Sequence, residues 1–172
     1  SIPASVTSIG YGAFHECREL TTVNFATASQ LTTIAQNGFS ECPLTNPTLP
    51  SQLVTIGSYS FYHNHLTGAL TIPATVTSIG ENAFERKDGL ETSPLETLVI
   101  GDGPGLTIGP AAFKYQAFTT ITIPDPVATN TTNSDTMGAT GASFNGLYRP
   151  SGNGNAGTYH YDTDTKTWSK IS

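Results

Sequence analysis

Apolar and polar positions follow a fixed order along this chain, and the order keeps returning. Leu70-Thr71-Ile72-Pro73 alternates apolar and polar, which predicts a strand, and Pro73 ends its pairing because it has no N–H to give a ladder. Val76-Thr77-Ser78-Ile79 follows as a second short extended piece, and Gly80 frees the backbone to turn. Glu81-Asn82-Ala83-Phe84-Glu85-Arg86 then reads as one or two helical turns, with Ala83 and Phe84 facing inward. The same phrase stands at Thr7-Ser8-Ile9-Gly10-Tyr11-Gly12-Ala13-Phe14. It is blurred at Thr33-Ile34-Ala35-Gln36-Asn37-Gly38-Phe39, Thr55-Ile56-Gly57-Ser58-Tyr59-Ser60-Phe61 and Thr107-Ile108-Gly109-Pro110-Ala111-Ala112-Phe113. Its closing Phe steps from 14 to 39, 61, 84 and 113, at intervals of 25, 22, 23 and 29 residues. Self-similarity at such a period marks a solenoid of stacked units, held by contacts between neighbours. These phenylalanines are expected to form one internal row.

Further strands are expected at Leu20-Thr21-Thr22-Val23-Asn24-Phe25, Leu95-Glu96-Thr97-Leu98-Val99-Ile100 and Phe118-Thr119-Thr120-Ile121-Thr122-Ile123. Pro47 damages the strand at Leu44-Thr45-Asn46-Pro47-Thr48-Leu49-Pro50, so pairing there is expected to be irregular. Turn residues at Ser93-Pro94 and Gly101-Asp102-Gly103-Pro104-Gly105 account for the longest interval and bulge as loops. Between the inward positions, outward residues form columns. One is Thr22, Asn46, Ala69, Thr97, Thr120; the next is Asn24, Thr48, Thr71, Val99, Thr122; the second extended piece adds Thr7, Thr32, Val54 and Thr77. Threonine suits a pleated, half-solvated surface without any ligand. An array of hydroxyls and methyls could equally dock a partner. The candidate binding surface is therefore Thr22, Asn24, Asn46, Thr48, Thr71, Thr97, Thr120 and Thr122. The interruptions and uneven intervals argue against a lattice-matched ligand such as ice.

Composition sharpens this picture. Charged residues are 12% of 172, well under the usual quarter, and net charge is −6. Seven scattered Lys and Arg give no basic patch for nucleic acid. No apolar run approaches a membrane span and nothing at the start reads as a signal peptide, so the chain reads as a fragment with targeting segments elsewhere. Cys17 and Cys42 each lie three residues after the repeat Phe and should stack about 4.8 Å apart. Disulfide reach is met, but parallel inward side chains seldom have the torsion, so buried free thiols are expected. The slot continues as Asn64, Lys87 and Gln116, a rise in polarity that suits the edge of the core.

The order Ile2-Pro3, Val6-Thr7, Ile9-Gly10, Ala13-Phe14, Cys17, Leu20-Thr21 resembles the BspA-type leucine-rich repeat. The resemblance covers residues 1 to 124 and is strongest in the first and fourth units. It implies an α/β-solenoid: a right-handed leucine-rich-repeat coil stack of short strands, loops and short helical turns, with a β-rich C-terminal tail. That family occurs mainly on surface and secreted proteins of bacteria and some protozoa. It implies adhesion to host proteins, other cells or matrix, and offers no catalytic residue to carry over. The loss of Cys in later units departs from the pattern and touches packing.

The domain reading is a solenoid of about five units over 1–124, a Thr/Asn/Gly-rich linker over 125–143, and a C-terminal β-hairpin cap over 144–172. Thr158-Tyr159-His160-Tyr161 and Thr167-Trp168-Ser169-Lys170-Ile171 form the hairpin; Phe144-Asn145-Gly146-Leu147-Tyr148 precedes it. Candidate chemistry is sparse. His63-Asn64-His65 offers half a zinc site with no partner nearby in sequence, and Asp162-Thr163-Asp164 lacks the ligand set of a calcium loop. Gly101 to Gly105 lacks the Lys-Ser/Thr ending of a phosphate cradle, and His15, His63, His65 and His160 have no nucleophile placed by spacing. Asn130-Thr131-Thr132 is an N-glycan acceptor in a eukaryotic secretory route. No metal, cofactor or enzymatic activity is expected. The expected function is a non-catalytic, adhesin-like binding module, extracellular or at the cell surface, engaging protein or glycan. Tyr11, Tyr59, Tyr62 and Tyr115 are possible recognition aromatics. The alternative is a structural subunit of a filament or layer, partnering itself by stacking. Neither nucleic acid nor membrane insertion is expected.

Overall fold

The computed structural model describes residues 1–87, 89, 95–103, 105–123, 127–129, 157–162, 164–165 and 167–172. The chain winds as a β-solenoid. One wall is a parallel ladder of very short strands: β1 (Ser8–Ile9), β2 (Thr33–Ile34) and β3 (Thr55–Ile56) are followed by the strand at Ser78–Ile79, then Leu106–Ile108, then Val127–Thr129. A second wall holds β4 (Gly68–Ile72), then Leu95–Ile100 and Thr120–Ile123, all parallel. In chain order the rest are β5 (Ser78–Ile79), β6 (Leu95–Ile100), β7 (Leu106–Ile108), β8 (Thr120–Ile123), β9 (Val127–Thr129), β10 (Gly157–Asp162) and β11 (Thr167–Lys170). β10 joins β8 antiparallel, and β11 pairs with β10 as the hairpin partner.

Register explains why two residues suffice for a strand. Ile9, Ile34, Ile56, Ile79 and Ile108 stand opposite one another along the first ladder, all 4% exposed or less. Each rung is fixed by the burial of its isoleucine, so a slip of one residue would turn that side chain to solvent. β9 extends this ladder into the stretch read from sequence as a linker from 125 onward. The rest of that stretch, the glycan acceptor at Asn130 and residues 144–148 lie outside the described residues.

The third wall corrects the sequence reading. Among the described residues there is no helix, and residues 81–86 and their equivalents run as consecutive turns. The N–H groups of Gly12, Phe14 and Glu16 donate to the carbonyls of Gln36, Gly38 and Ser40 in the next coil, at 3.0, 2.9 and 2.9 Å. Asn37, Phe39 and Glu41 donate in the same way to Ser58, Ser60 and Tyr62, and Asn82, Phe84 and Arg86 to Pro110, Ala112 and Lys114. A helix spends these donors within its own segment; here they run along the stack. The geometry places left-handed backbone two residues before each repeat Phe and, except at Phe84, two after it. Asn37 and Glu41 have φ of 59° and 58°, and Ala111 and Tyr115 have 53° and 61°.

The phenylalanine row forms as expected. Phe14, Phe39, Phe61, Phe84 and Phe113 stack nearly face to face, with successive centroids 4.9, 5.5, 5.1 and 5.3 Å apart. Phe118 packs edge-on against Phe113 at 5.7 Å. Offset stacking of this kind adds to the area buried. Among the described residues no helix is long and apolar enough to cross a membrane.

Candidate functional site

The outward columns exist, but only half of them sits on a sheet. Ala69, Thr97 and Thr120 are in register across β4, β6 and β8, and so are Thr71, Val99 and Thr122. Their alternation with buried Leu70, Leu98 and Ile121 aims them outward. Thr71 is exposed, and Thr97, Thr120 and Thr122 are half-buried. Thr122 also shares a hydrogen bond with Thr158 of β10 at 3.1 Å.

Thr22, Asn24, Asn46 and Thr48 are exposed but belong to no strand. The run read as a strand from Leu20 to Phe25 pairs only through the bridge Ile2↔Phe25, and residues 44–50 carry no strand at all. Pro47 and Pro50 remove two donors from the coil that would join the neighbours on either side. The coils part there. One cleft of about 220 Å³ lies between Asn24, Phe25, Thr48 and Leu49, and a second of about 290 Å³ between Asn46, Thr48, Ala69 and Thr71. The columns of the first ladder hold their register: Thr32, Val54, Thr77 and Thr107 each donate to the outward residue of the preceding coil at 2.9 to 3.0 Å.

The slot three residues after the repeat Phe is divided: Lys87 is exposed and Cys17 half-buried, as the edge reading expects, but the other three positions lie inside the core, which corrects that expectation there. Cys42, Asn64 and Gln116 are 1, 2 and 2% exposed. Each reaches the Phe carbonyl of the coil before: Cys42 Sγ donates to Phe14 at 2.9 Å, Asn64 Nδ2 to Phe39 at 2.8 Å and Gln116 Nε2 to Phe84 at 2.8 Å. The amide oxygens of Asn64 and Gln116 accept in turn from the N–H groups of Leu44 and Leu95, at 3.2 and 3.0 Å. Rising polarity therefore supplies partners to buried backbone groups. Both cysteines are free; Cys42 is buried, while Cys17 is only half-buried. Burial pushes the Cys42 thiol up to about 11.

His63 and His65 line a cleft of about 230 Å³ on the turn wall with Arg18, Glu41, Cys42 and Lys87. His63 Nδ1 lies 3.5 Å from Glu41 and its ring stacks on Tyr62. Burial lowers its pKa; Glu41 and Glu85 oppose that, and Lys87 reinforces it. Among the described residues no three His, Cys, Asp or Glu side chains are grouped to hold a metal ion. Asp162 accepts the N–H groups of Asp164 and Thr165 at 2.8 and 2.9 Å, which turns the hairpin and lowers its pKa. Tyr11 is 73% exposed, whereas Tyr59, Tyr62 and Tyr115 are half-buried; Tyr59 packs edge-on to Tyr62, and Lys114 lies over Tyr115.

The family described as BspA type leucine rich repeat region matches residues 1–103 in six copies. No curated protein matches the chain. No solved structure matches it. The chain belongs to the BspA-type leucine-rich repeat family, whose repeats are generally non-enzymatic binding scaffolds and are often surface-associated.

Proposed function

We propose that this BspA-type solenoid is a non-catalytic, adhesin-like binding module that works outside the cell or at its surface. It engages a protein or glycan partner through its outward face. The observation that carries this is the register of the second wall, where short uncharged side chains at Ala69, Thr97 and Thr120, and at Thr71, Val99 and Thr122, form straight columns. A flat face of hydroxyls and methyls on a rigid ladder loses little side-chain entropy when covered. The test is binding to immobilised matrix proteins and to a glycan array, with the double variant Thr97→Glu/Thr120→Glu as control. At least about tenfold weaker binding of the variant is expected. A variant that binds as well as the parent, or a parent that binds nothing, removes this reading.

A structural role as a filament subunit is favoured by one feature. Among the described residues β11 is the outermost strand of the second wall, and Ile171 beside it is 62% exposed. A strand at the margin of a sheet can template pairing with another chain. Light scattering that grows with concentration supports the filament; a constant monomer mass removes it.

A further inference from the structure

We propose that a groove running over the corner between the two ladder walls, at the second and third coils, is a binding site for a neutral oligosaccharide. It deepens the reading above by naming a ligand class and place, and rests on it.

The groove originates in chain length. Six positions separate Phe25 from Leu31, where four separate Ile2 from Val6, Leu49 from Leu53 and Ile72 from Val76. The bridge Ile2↔Phe25 shows that these positions correspond. The longer corner replaces the proline of its neighbours with Ala26-Thr27-Ala28-Ser29, and it is braced from within. Ser29 donates its N–H to Ala26 at 2.9 Å, its Oγ accepts from Leu31 at 3.3 Å, and Gln30 donates its N–H to Ala4 of the preceding coil at 3.0 Å. A cleft of about 600 Å³ opens along it, walled by Thr7, Thr27, Gln30, Thr32, Ser51 and Gln52. That volume lies within the roughly 300–1,000 Å³ of small-ligand clefts. It shares Thr27 and Ser51 with the cleft beside Phe25, which shares Thr48 and Leu49 with the cleft beside Thr71. The three form one path across successive coils.

The chemistry of that path selects the ligand. No described residue lining any of the three clefts carries a charge. Charges gather instead on the turn wall, where Arg18, Glu41 and Lys87 line their own cleft. Among the described residues the side chains of Asn24, Thr27, Gln30, Thr48 and Gln52 make no hydrogen bond within the chain. By contrast Thr32 and Thr75 spend their hydroxyls on the carbonyls of Thr7 and Leu53. Amides and hydroxyls offer both donors and acceptors, which is what a polyol requires. The half-buried ring of Phe25, with Val23 and Leu49, supplies an apolar floor for the C–H face of a pyranose. A charged peptide or sulfated glycan would find no counter-ion here.

The experiment is calorimetric titration of the whole chain with neutral hexasaccharides (cellohexaose, mannohexaose and maltohexaose) and with a heparin hexasaccharide. Saturable binding of at least one neutral sugar is expected, with little change between low salt and about 0.5 M salt. The exposed double variant Gln30→Ala/Gln52→Ala should bind it at least about tenfold more weakly, while Arg18→Ala on the turn wall leaves it unchanged. The proposal falls if no neutral sugar binds, if only the heparin fragment binds, or if the groove variant binds as well as the parent. A protein partner captured through the threonine columns, with no neutral sugar bound, sinks the groove and leaves the adhesive reading standing.

Discussion

Thr7-Ser8-Ile9-Gly10 and Thr77-Ser78-Ile79-Gly80 are the same four residues in two settings. At the second, Gly80 lies against the preceding coil so closely that a Cβ there would come within 2.3 Å of the backbone nitrogen of Ser58. At the first, nothing stands within 4 Å of the Cβ position of Gly10. The rings that follow differ likewise: Phe84 is fully buried between Phe61 and Phe113, whereas Phe14 is half-buried and stacks on Phe39 alone among the repeat rings. Identical local sequence thus carries different energetic weight, because each unit obtains its burial from the coils beside it.

Paired variants test this contrast. The largest effect is expected from Phe84→Ala, a loss of about 3–5 kcal/mol; Phe14→Ala, with one face of the ring uncovered, should cost clearly less in a chemical denaturation series. Equal losses would mean that the row is not the spine of the fold. Gly80→Ala comes next, at about 3 kcal/mol, since a backbone contact can be relieved only by moving a whole coil, whereas Gly10→Ala should leave the melting temperature nearly unchanged. Asn64→Ala strands the Phe39 carbonyl and the Leu44 N–H, for about 1–3 kcal/mol; Asn64→Leu, similar in size, should not recover it.

Smaller effects are expected from the titrating groups. His63 has a folded pKa below the ordinary value of about 6.5. The unfolded chain therefore binds the proton first, and stability falls as pH drops below that value until the folded pKa is passed. His63→Gln should flatten that part of a melting-temperature profile against pH; a profile with the same slope would assign it to other groups. At neutral pH iodoacetamide should modify half-buried Cys17 and spare buried Cys42, as read by mass spectrometry. The reverse order would place the first coil differently.

The spine was legible from sequence because a phenyl ring returning at regular intervals can be buried only against its own kind. The threonine columns were legible as far as Thr71, Thr97, Thr120 and Thr122, where strict alternation fixes direction. They were not at Thr22 and Asn46, where proline and the first coil leave no ladder to hold them. The turn wall was misread because Glu81-Asn82-Ala83-Phe84-Glu85-Arg86 contains good helix formers. The contrary signal stood two residues before three of the five Phe, where Gly12, Asn37 and Asn82 are residues that tolerate left-handed backbone; Tyr59 and Ala111 adopt it without any such signal. The slot was taken for an edge throughout because polarity was equated with solvent; that holds at exposed Lys87 but not at Asn64 and Gln116, which answer buried carbonyls. The long corner needed only a count from Phe25 to Leu31, but the count has meaning once the coils are aligned.

One feature of the turn wall reaches beyond stability. Its N–H groups point along the axis, as do those of the two ladders, so from β4 onward the coils are joined by three sets of bonds loaded together when the ends are pulled apart. Tension on such a rod should peel one coil at a time, each surrendering its own set of bonds before the next yields. A stack built this way lengthens in steps and dissipates work gradually, a property that the adhesive role proposed above would use.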